Sequence, residues 1–141
     1  MSGLPPDQLS WLQQWIQKAE NDLRNAEHTI KMNPEVCPYD TVCFHAQQCA
    51  EKYIKALLIN LGIDFPKTHD ISSLTKLLPE PFLLGVSVQD QDQLTEYATV
   101  SRYPEEVNTL TSKDAGWAMA IAHQIRDAVR VRLPKNALQQ I

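Results

Sequence analysis

Cys43-Phe44-His45-Ala46-Gln47-Gln48-Cys49-Ala50-Glu51-Lys52-Tyr53-Ile54-Lys55-Ala56-Leu57-Leu58-Ile59-Asn60-Leu61-Gly62 is the stretch whose reading decides the fold. Its length suits a helix of about five turns. Asp40 offers an N-cap carboxylate for the free N–H groups of the first turn. Gly62 offers a C′ residue that takes positive φ without steric cost. With successive residues about 100° apart around the axis, Cys43, Ala46, Ala50, Ile54, Leu57 and Leu61 share one face, which reads as a core stripe. His45, Gln48, Lys52 and Lys55 fall on the opposite face, interleaved with Cys49, Ala56 and Ile59. A fully solvated face seldom mixes small and apolar residues with polar ones in this way. The helix is therefore expected to be covered on more than one side, and its polar groups then need partners.

Working outward, helical periodicity continues. Pro5, Pro6 and Asp7 suit a helix start, the prolines at its first position and the aspartate as a cap. Leu12, Ile16, Ala19, Leu23, Ala26 and Ile30 recur at intervals of four and three, a bundle-type seam. Trp11 and Trp15 flank it, as edge-of-core packing or as a dimer surface. Asn33-Pro34 ends this helix. Ile63 to Asp70 reads as a loop, and Asp70 or Thr68 can cap a short helix over 71–78, stopped by Pro79 and Pro81. Residues 82–88 are ambiguous between helix and break. A fourth helix is predicted over 89–100, and Ser101 to Glu106 interrupts the pattern. The last helix starts near Ser112 with Ala118, Ile121, Ala122, Ile125 and Val129 as its apolar face, and Pro134 stops it. His123, Arg126 and Arg130 share another face. Cations there complement the helix dipole, so that face is expected to be solvated. No stretch alternates with the period of two expected of a half-buried strand.

These patterns predict an all-α, four-helix-bundle-like, up-and-down bundle of about five helices. Three are long, near 8–32, 40–61 and 112–133, and two are short. A chain of 141 residues is read as one domain over 1–141 with its core over about 8–133, long enough to bury that core without staples. The net charge of −4 argues against general nucleic-acid binding, which needs a basic footprint. Cys37, Cys43 and Cys49 form no CxxC pair, and an odd count on a helix favours reduced thiols in a cytoplasmic protein. A zinc site would need His45 or His69 as added ligands, and small core residues are the plainer reading. No apolar run approaches the roughly 20 residues of a membrane span, and the start lacks the basic n-region of a signal peptide. No cofactor motif, catalytic triad or P-loop is present.

The run from Phe44 to Leu58, the following Gly62 to Asp70, and Tyr97 through Arg102-Tyr103-Pro104 into Ala118, Ala122 and Val129 resemble the HEPN family (higher eukaryotes and prokaryotes nucleotide-binding domain). The resemblance covers residues 10–133. It implies an up-and-down helical bundle, often a homodimer, and in many prokaryotic members a minimal nucleotidyltransferase as partner. Some members act as the toxin half of such a pair. Others are metal-independent ribonucleases using an Arg, four to six intervening residues and a His near the last helix. That motif does not carry over: His123 precedes Arg126, and Arg24 and His28 have three residues between them, on the first helix. A binding and interaction module is therefore expected, with a ribonuclease or toxin acting on RNA as the alternative.

Candidate ligand-binding residues are His45, Gln48, Lys52 and Lys55 on one stripe, with His69 and Arg102 on loops. Lys52 and Lys55 lie about 60° apart on the helix, so their ammonium groups can reach one region. Arg suits bidentate phosphate contact and Lys acts as a point charge, so this set suits a nucleotide or other phosphate ligand. The plainer reading is that Lys52 pairs with a carboxylate, that His45 hydrogen-bonds a neighbouring helix, and that His69-Asp70 starts a helix.

Overall fold

The computed structural model describes residues 4–80, 84–99 and 109–139, and these form helices and connections with no strand among them. Six helices follow one another: α1 (Pro6–Thr29), α2 (Tyr39–Asn60), α3 (Ile71–Thr75), α4 (Val88–Glu96), α5 (Ser112–Arg130) and α6 (Lys135–Leu138). The three long ones are those that the apolar periodicity marks. α6 is an addition that it does not foresee, started by the same Pro134 that keeps α5 from continuing.

α2 is the hub, packed along α1 on one side and along α5 on the other. Side-chain pairs give the directions. Glu20 meets Tyr53 and Asp22 meets Lys52 and His45, so α1 and α2 are antiparallel. Glu20 meets Arg126 and Glu27 lies beside His123, so α5 also runs against α1. α3 and α4 together fill the remaining place, α3 against α2 and α4 against α5. Leu12, Ile16, Ala19, Leu23, Val42, Ala46, Ala50, Ile54, Leu58, Ala118, Ala122 and Ile125 make the core between the long helices.

The ends of the elements show the local chemistry. α2 finishes as a Schellman motif: the Ile63 N–H donates to Leu58 O at 2.9 Å and the Gly62 N–H to Ile59 O at 3.0 Å. Gly62 holds φ at +71°, where a Cβ would crowd the backbone. Asp70 caps α3 by accepting from the Ser73 N–H. Thr111 and Asp114 cap α5 reciprocally as a capping box.

Several expectations need correction. Asp40 does not cap α2; it lies inside the first turn, and its carboxylate accepts from the neighbouring Thr41 N–H. Pro5, not Asp7, stands at the N-cap of α1, with Pro6 at the first helical position. Leu61 leaves the core stripe and is 47% exposed, because the chain turns away at the C-cap. α1 ends at Thr29, α3 at Thr75 and α4 at Glu96, each continued by turns that the periodicity counted as helix. The Ser101–Glu106 interruption and the Arg102 site residue lie outside the described residues. Among the described residues, no helix is long and apolar enough to cross a membrane.

Candidate functional site

Three carboxylates inside the bundle organise its polar chemistry. Glu20 lies four residues after Ile16 and three before Leu23, so it shares the buried face of α1. Its carboxylate accepts from Arg126 through Nε at 2.7 Å and Nη2 at 3.2 Å and from the Tyr53 hydroxyl. Arg130 donates to the same hydroxyl at 3.1 Å. Burial pushes the Glu20 carboxyl up, but the hydrogen bonds from Arg126 and Tyr53 and the charge of Arg126 outweigh it, and the group sits below the ordinary glutamate range. Burial and then the Glu20 carboxylate hold the Tyr53 hydroxyl well above its usual range, so Tyr53 stays a donor. Arg126 and Arg130 are therefore not on a solvated face, which corrects the reading from the helix dipole. They point into α1 and α2.

Asp22, three residues after Ala19 and four before Ala26, holds the second group. It accepts from His45 Nδ1 at 2.8 Å and Lys52 Nζ at 2.5 Å. Glu51 holds the third. It accepts from Lys55 Nζ at 2.8 Å, His69 Nδ1 at 2.9 Å and Gln47 Nε2 at 3.2 Å. Gln47, fully buried, also donates to His69 O at 3.1 Å and accepts from Gln48 Nε2 at 2.6 Å. The loop after α2 is thus tied to α2 by its own amide and carboxylate groups.

The sequence-derived site residues consequently fall into two sets. His45 and Lys52 meet on Asp22, and Gln48, Lys55 and His69 meet at Glu51. Lys55 is buried, and its ammonium group lies 5.6 Å from the Trp15 ring centre and 5.7 Å from that of Phe65. His45 and Lys52 keep about a quarter of their side chains in solvent, at 24% and 22%, and His69 keeps 57%. An ionised carboxylate only accepts, so the Nδ1 of both histidines is the donor to it. This edge of α2 presents one ammonium, two oriented imidazoles and the Gln48 amide. Such a set can hold an anionic oxygen or pass a proton at Nε2.

The residues that sequence reasoning missed are Glu20, Asp22, Glu51 and Gln47. Glu20 and Asp22 flank the apolar stripe of α1 on its two sides, and Gln47 and Glu51 flank that of α2, and that spacing is the signal that could have found them. The thiols offer no nucleophile. Burial pushes Cys43 up to about 12, with Asp114 and Asp40 adding to it, and Cys49 higher still. Cys37, partly buried, gives its Sγ–H to Thr29 O. One turn before Arg126 on α5, His123 Nε2 lies 3.7 Å from Glu27 of α1. No group of three metal-ligating side chains exists among the described residues.

A model of the HEPN domain family matches residues 12–132. The chain belongs to the HEPN family. It is 28% identical over 144 residues to the candidate toxin MJ1304 of Methanocaldococcus jannaschii, covering 90% of this chain and 91% of that protein. The crystal structure of ST0689, an archaeal HEPN homologue, superposes with a TM-score of 0.64 at 30% identity, over 86% of this chain and 96% of that one. That of TT1696 from Thermus thermophilus superposes with a TM-score of 0.71 at 27% identity, over 86% and 98%. The helical order described above is therefore that of an HEPN fold. Within it all three carboxylates are buried: the Asp22 group joins α1 to α2, the Glu51 group ties α2 to the loop after it, and the Glu20 group joins α1, α2 and α5.

Proposed function

We propose that this HEPN chain is an interaction module. It pairs as a homodimer in the cytoplasm, docks a minimal nucleotidyltransferase, and takes a nucleotide or other phosphate ligand at the edge formed by His45, Gln48, Lys52 and His69. The observation that carries a binding role over RNA cleavage is the engagement of Arg126. Its Nε and Nη2 serve the largely buried Glu20 and its Nη1 donates to Asp127, so the arginine of the last helix is not free to meet a scissile phosphate beside His123. Cleavage by general acid–base chemistry needs a titrating group and a phosphate-facing cation together.

At the α2 edge the requirement for binding is milder. Lys52 and His45 share a single carboxylate, and a phosphate group can replace Asp22 as their acceptor. Sedimentation at micromolar concentration is expected to give twice the chain mass, and an added minimal nucleotidyltransferase to join the complex. Calorimetry with ATP is expected to show weak binding that falls with salt and weakens in Lys52→Ala. A monomer that ignores the nucleotidyltransferase and ATP would remove this reading. The toxin name of the Methanocaldococcus jannaschii relative supports a second one, in which the chain acts on RNA. Cleavage of tRNA or unstructured RNA that is abolished in His123→Ala would establish it.

A further inference from the structure

A cleft of about 470 Å3 opens where the start of α1 meets the end of α2 and the loop beyond it. Trp11 and Phe65 form aromatic walls, Ile59 and Ile63 aliphatic ones, and Gln8 and Asp64 are its polar side chains. Trp11 is 51% exposed, although it is a large aromatic packed edge-on against Trp15 at 5.9 Å. Trp15 in turn meets Phe65 edge-on at 6.2 Å. Asp64 is the one charged side chain of the lining, and it forms no ion pair with any described residue. The same aromatic group already carries one cation, since the buried Lys55 lies over both Trp15 and Phe65.

We infer that this cleft is the docking point for an arginine side chain presented among aliphatic residues on a partner protein. The chemistry of the lining selects it. Aromatic faces attract a cation through their quadrupole, and a guanidinium is planar and weakly hydrated, so it stacks where an ammonium stays wet. The aliphatic walls suit the methylene stem and its neighbours. Asp64 supplies the counter-charge at the mouth, and the chain's net charge of −4 favours a basic partner. A nucleotide fits the cleft poorly, because its phosphates would meet a carboxylate and no cation of the lining. The exposed aromatic beside a concave apolar wall is also the composition that carries energy at protein interfaces.

The inference rests on the interaction-module reading and names the chemistry of its partner surface. It is tested by 1H–15N spectra of the full chain, which has three indole signals, with that of Trp11 assigned through Trp11→Phe. The probe is a capped Leu-Arg-Leu tripeptide, with Leu-norleucine-Leu and ATP as comparisons. The arginine peptide is expected to shift the Trp11 signal saturably at millimolar concentration. The norleucine peptide, and the arginine peptide on Asp64→Asn, are each expected to bind about fivefold more weakly. Equal binding of the two peptides, an unmoved Trp11 signal, or a Trp11 shift with ATP alone would overturn the inference. So would assembly with the nucleotidyltransferase that is unchanged in Asp64→Asn, and that result leaves the module reading standing. Loss of all assembly in the wild type removes the module reading instead, while the peptide titration still decides the cleft.

Discussion

Glu20 and Asp22 stand two residues apart on the same helix, and each gathers donors from outside it, yet they make different kinds of site. Around Glu20 three helices converge: Tyr53 from α2 and Arg126 from α5 hold the carboxylate of α1, and Arg130 backs the tyrosine. Around Asp22 only α2 contributes, and its His45 and Lys52 remain partly in solvent. The number of charges is similar, and so is the burial of the two carboxylates, Glu20 at 9% and Asp22 at 7% exposed; the number of elements joined is not. A carboxylate that joins three helices acts as a clamp, because removing any partner strands the others. One at the edge of two helices can exchange its partners with solvent or with a ligand.

That contrast is sharpest in stability. Glu20→Ala leaves Arg126 and Tyr53 without their acceptor and is expected to cost about 3 kcal/mol, the lower end for breaking a buried ion pair. Lys55→Ala leaves Glu51 with His69 and the two glutamines and should cost about 2 kcal/mol, less because Glu51 keeps neutral donors. Asp22→Ala is expected to cost about 1 kcal/mol, since its partners can turn to water. Urea unfolding of the three variants checks the order. Equal losses for Glu20→Ala and Asp22→Ala would break the comparison.

Acid tests the Glu20 group in a second way. The Glu20 carboxyl is held below its ordinary value of 4.5. A lowered native value means that its ionised form stabilises the fold above the unfolded value, and that this contribution is lost as the pH falls through the native one. Stability of the wild type should therefore drop below about pH 4.5. Asp70 is also lowered: its burial acts upward, but its bonds to Ser73 and Ser72 prevail. It is largely exposed and adds a smaller loss of the same sign. In Glu20→Gln the acid-induced drop should shrink. Thermal unfolding between pH 3 and 7 provides the measurement.

The fold was legible in the sequence because long helices advertise their buried face every three to four residues, as Leu12 to Ala26 and Ala118 to Val129 do. Gly62 was legible for a similar reason, since a positive φ leaves little choice of residue. Helix starts were less so. Asp40 has the right chemistry for a cap, but the chain leaves Pro38 already turning, and the aspartate is carried inside. The site was legible only on one side. His45, Gln48, Lys52 and Lys55 were marked by their place on a mixed face, and the structure brings all five described candidates against two carboxylates on helices, His69 from its loop. The carboxylates were overlooked because Glu20, Asp22 and Glu51 read as ordinary solvated charges until their phase is compared with the apolar stripe. Arg126 was misread for the same reason, as its partner lies 106 residues away in sequence and no local pattern reports it.

The smallest expected effect on stability is the one with most to say about function. Lys52→Ala removes one of two donors from Asp22 and should cost about 0.5 kcal/mol, since His45 remains and water reaches the carboxylate. A residue that contributes so little to the fold yet keeps part of its side chain in solvent is free to serve a ligand. If a phosphate takes the place of Asp22, two changes at this edge should act in opposite directions. Lys52→Ala should weaken ATP binding in calorimetry by about tenfold, the loss of one charge-assisted contact. Asp22→Asn should strengthen it, because the competing carboxylate is gone while both donors stay. Circular dichroism of both variants would verify that α1 and α2 still pack. Weaker binding in both variants would mean that Asp22 orients the donors and does not compete with the ligand. Unchanged binding in both would place the phosphate away from Asp22, and the comparison between the two acids of α1 would then concern stability alone.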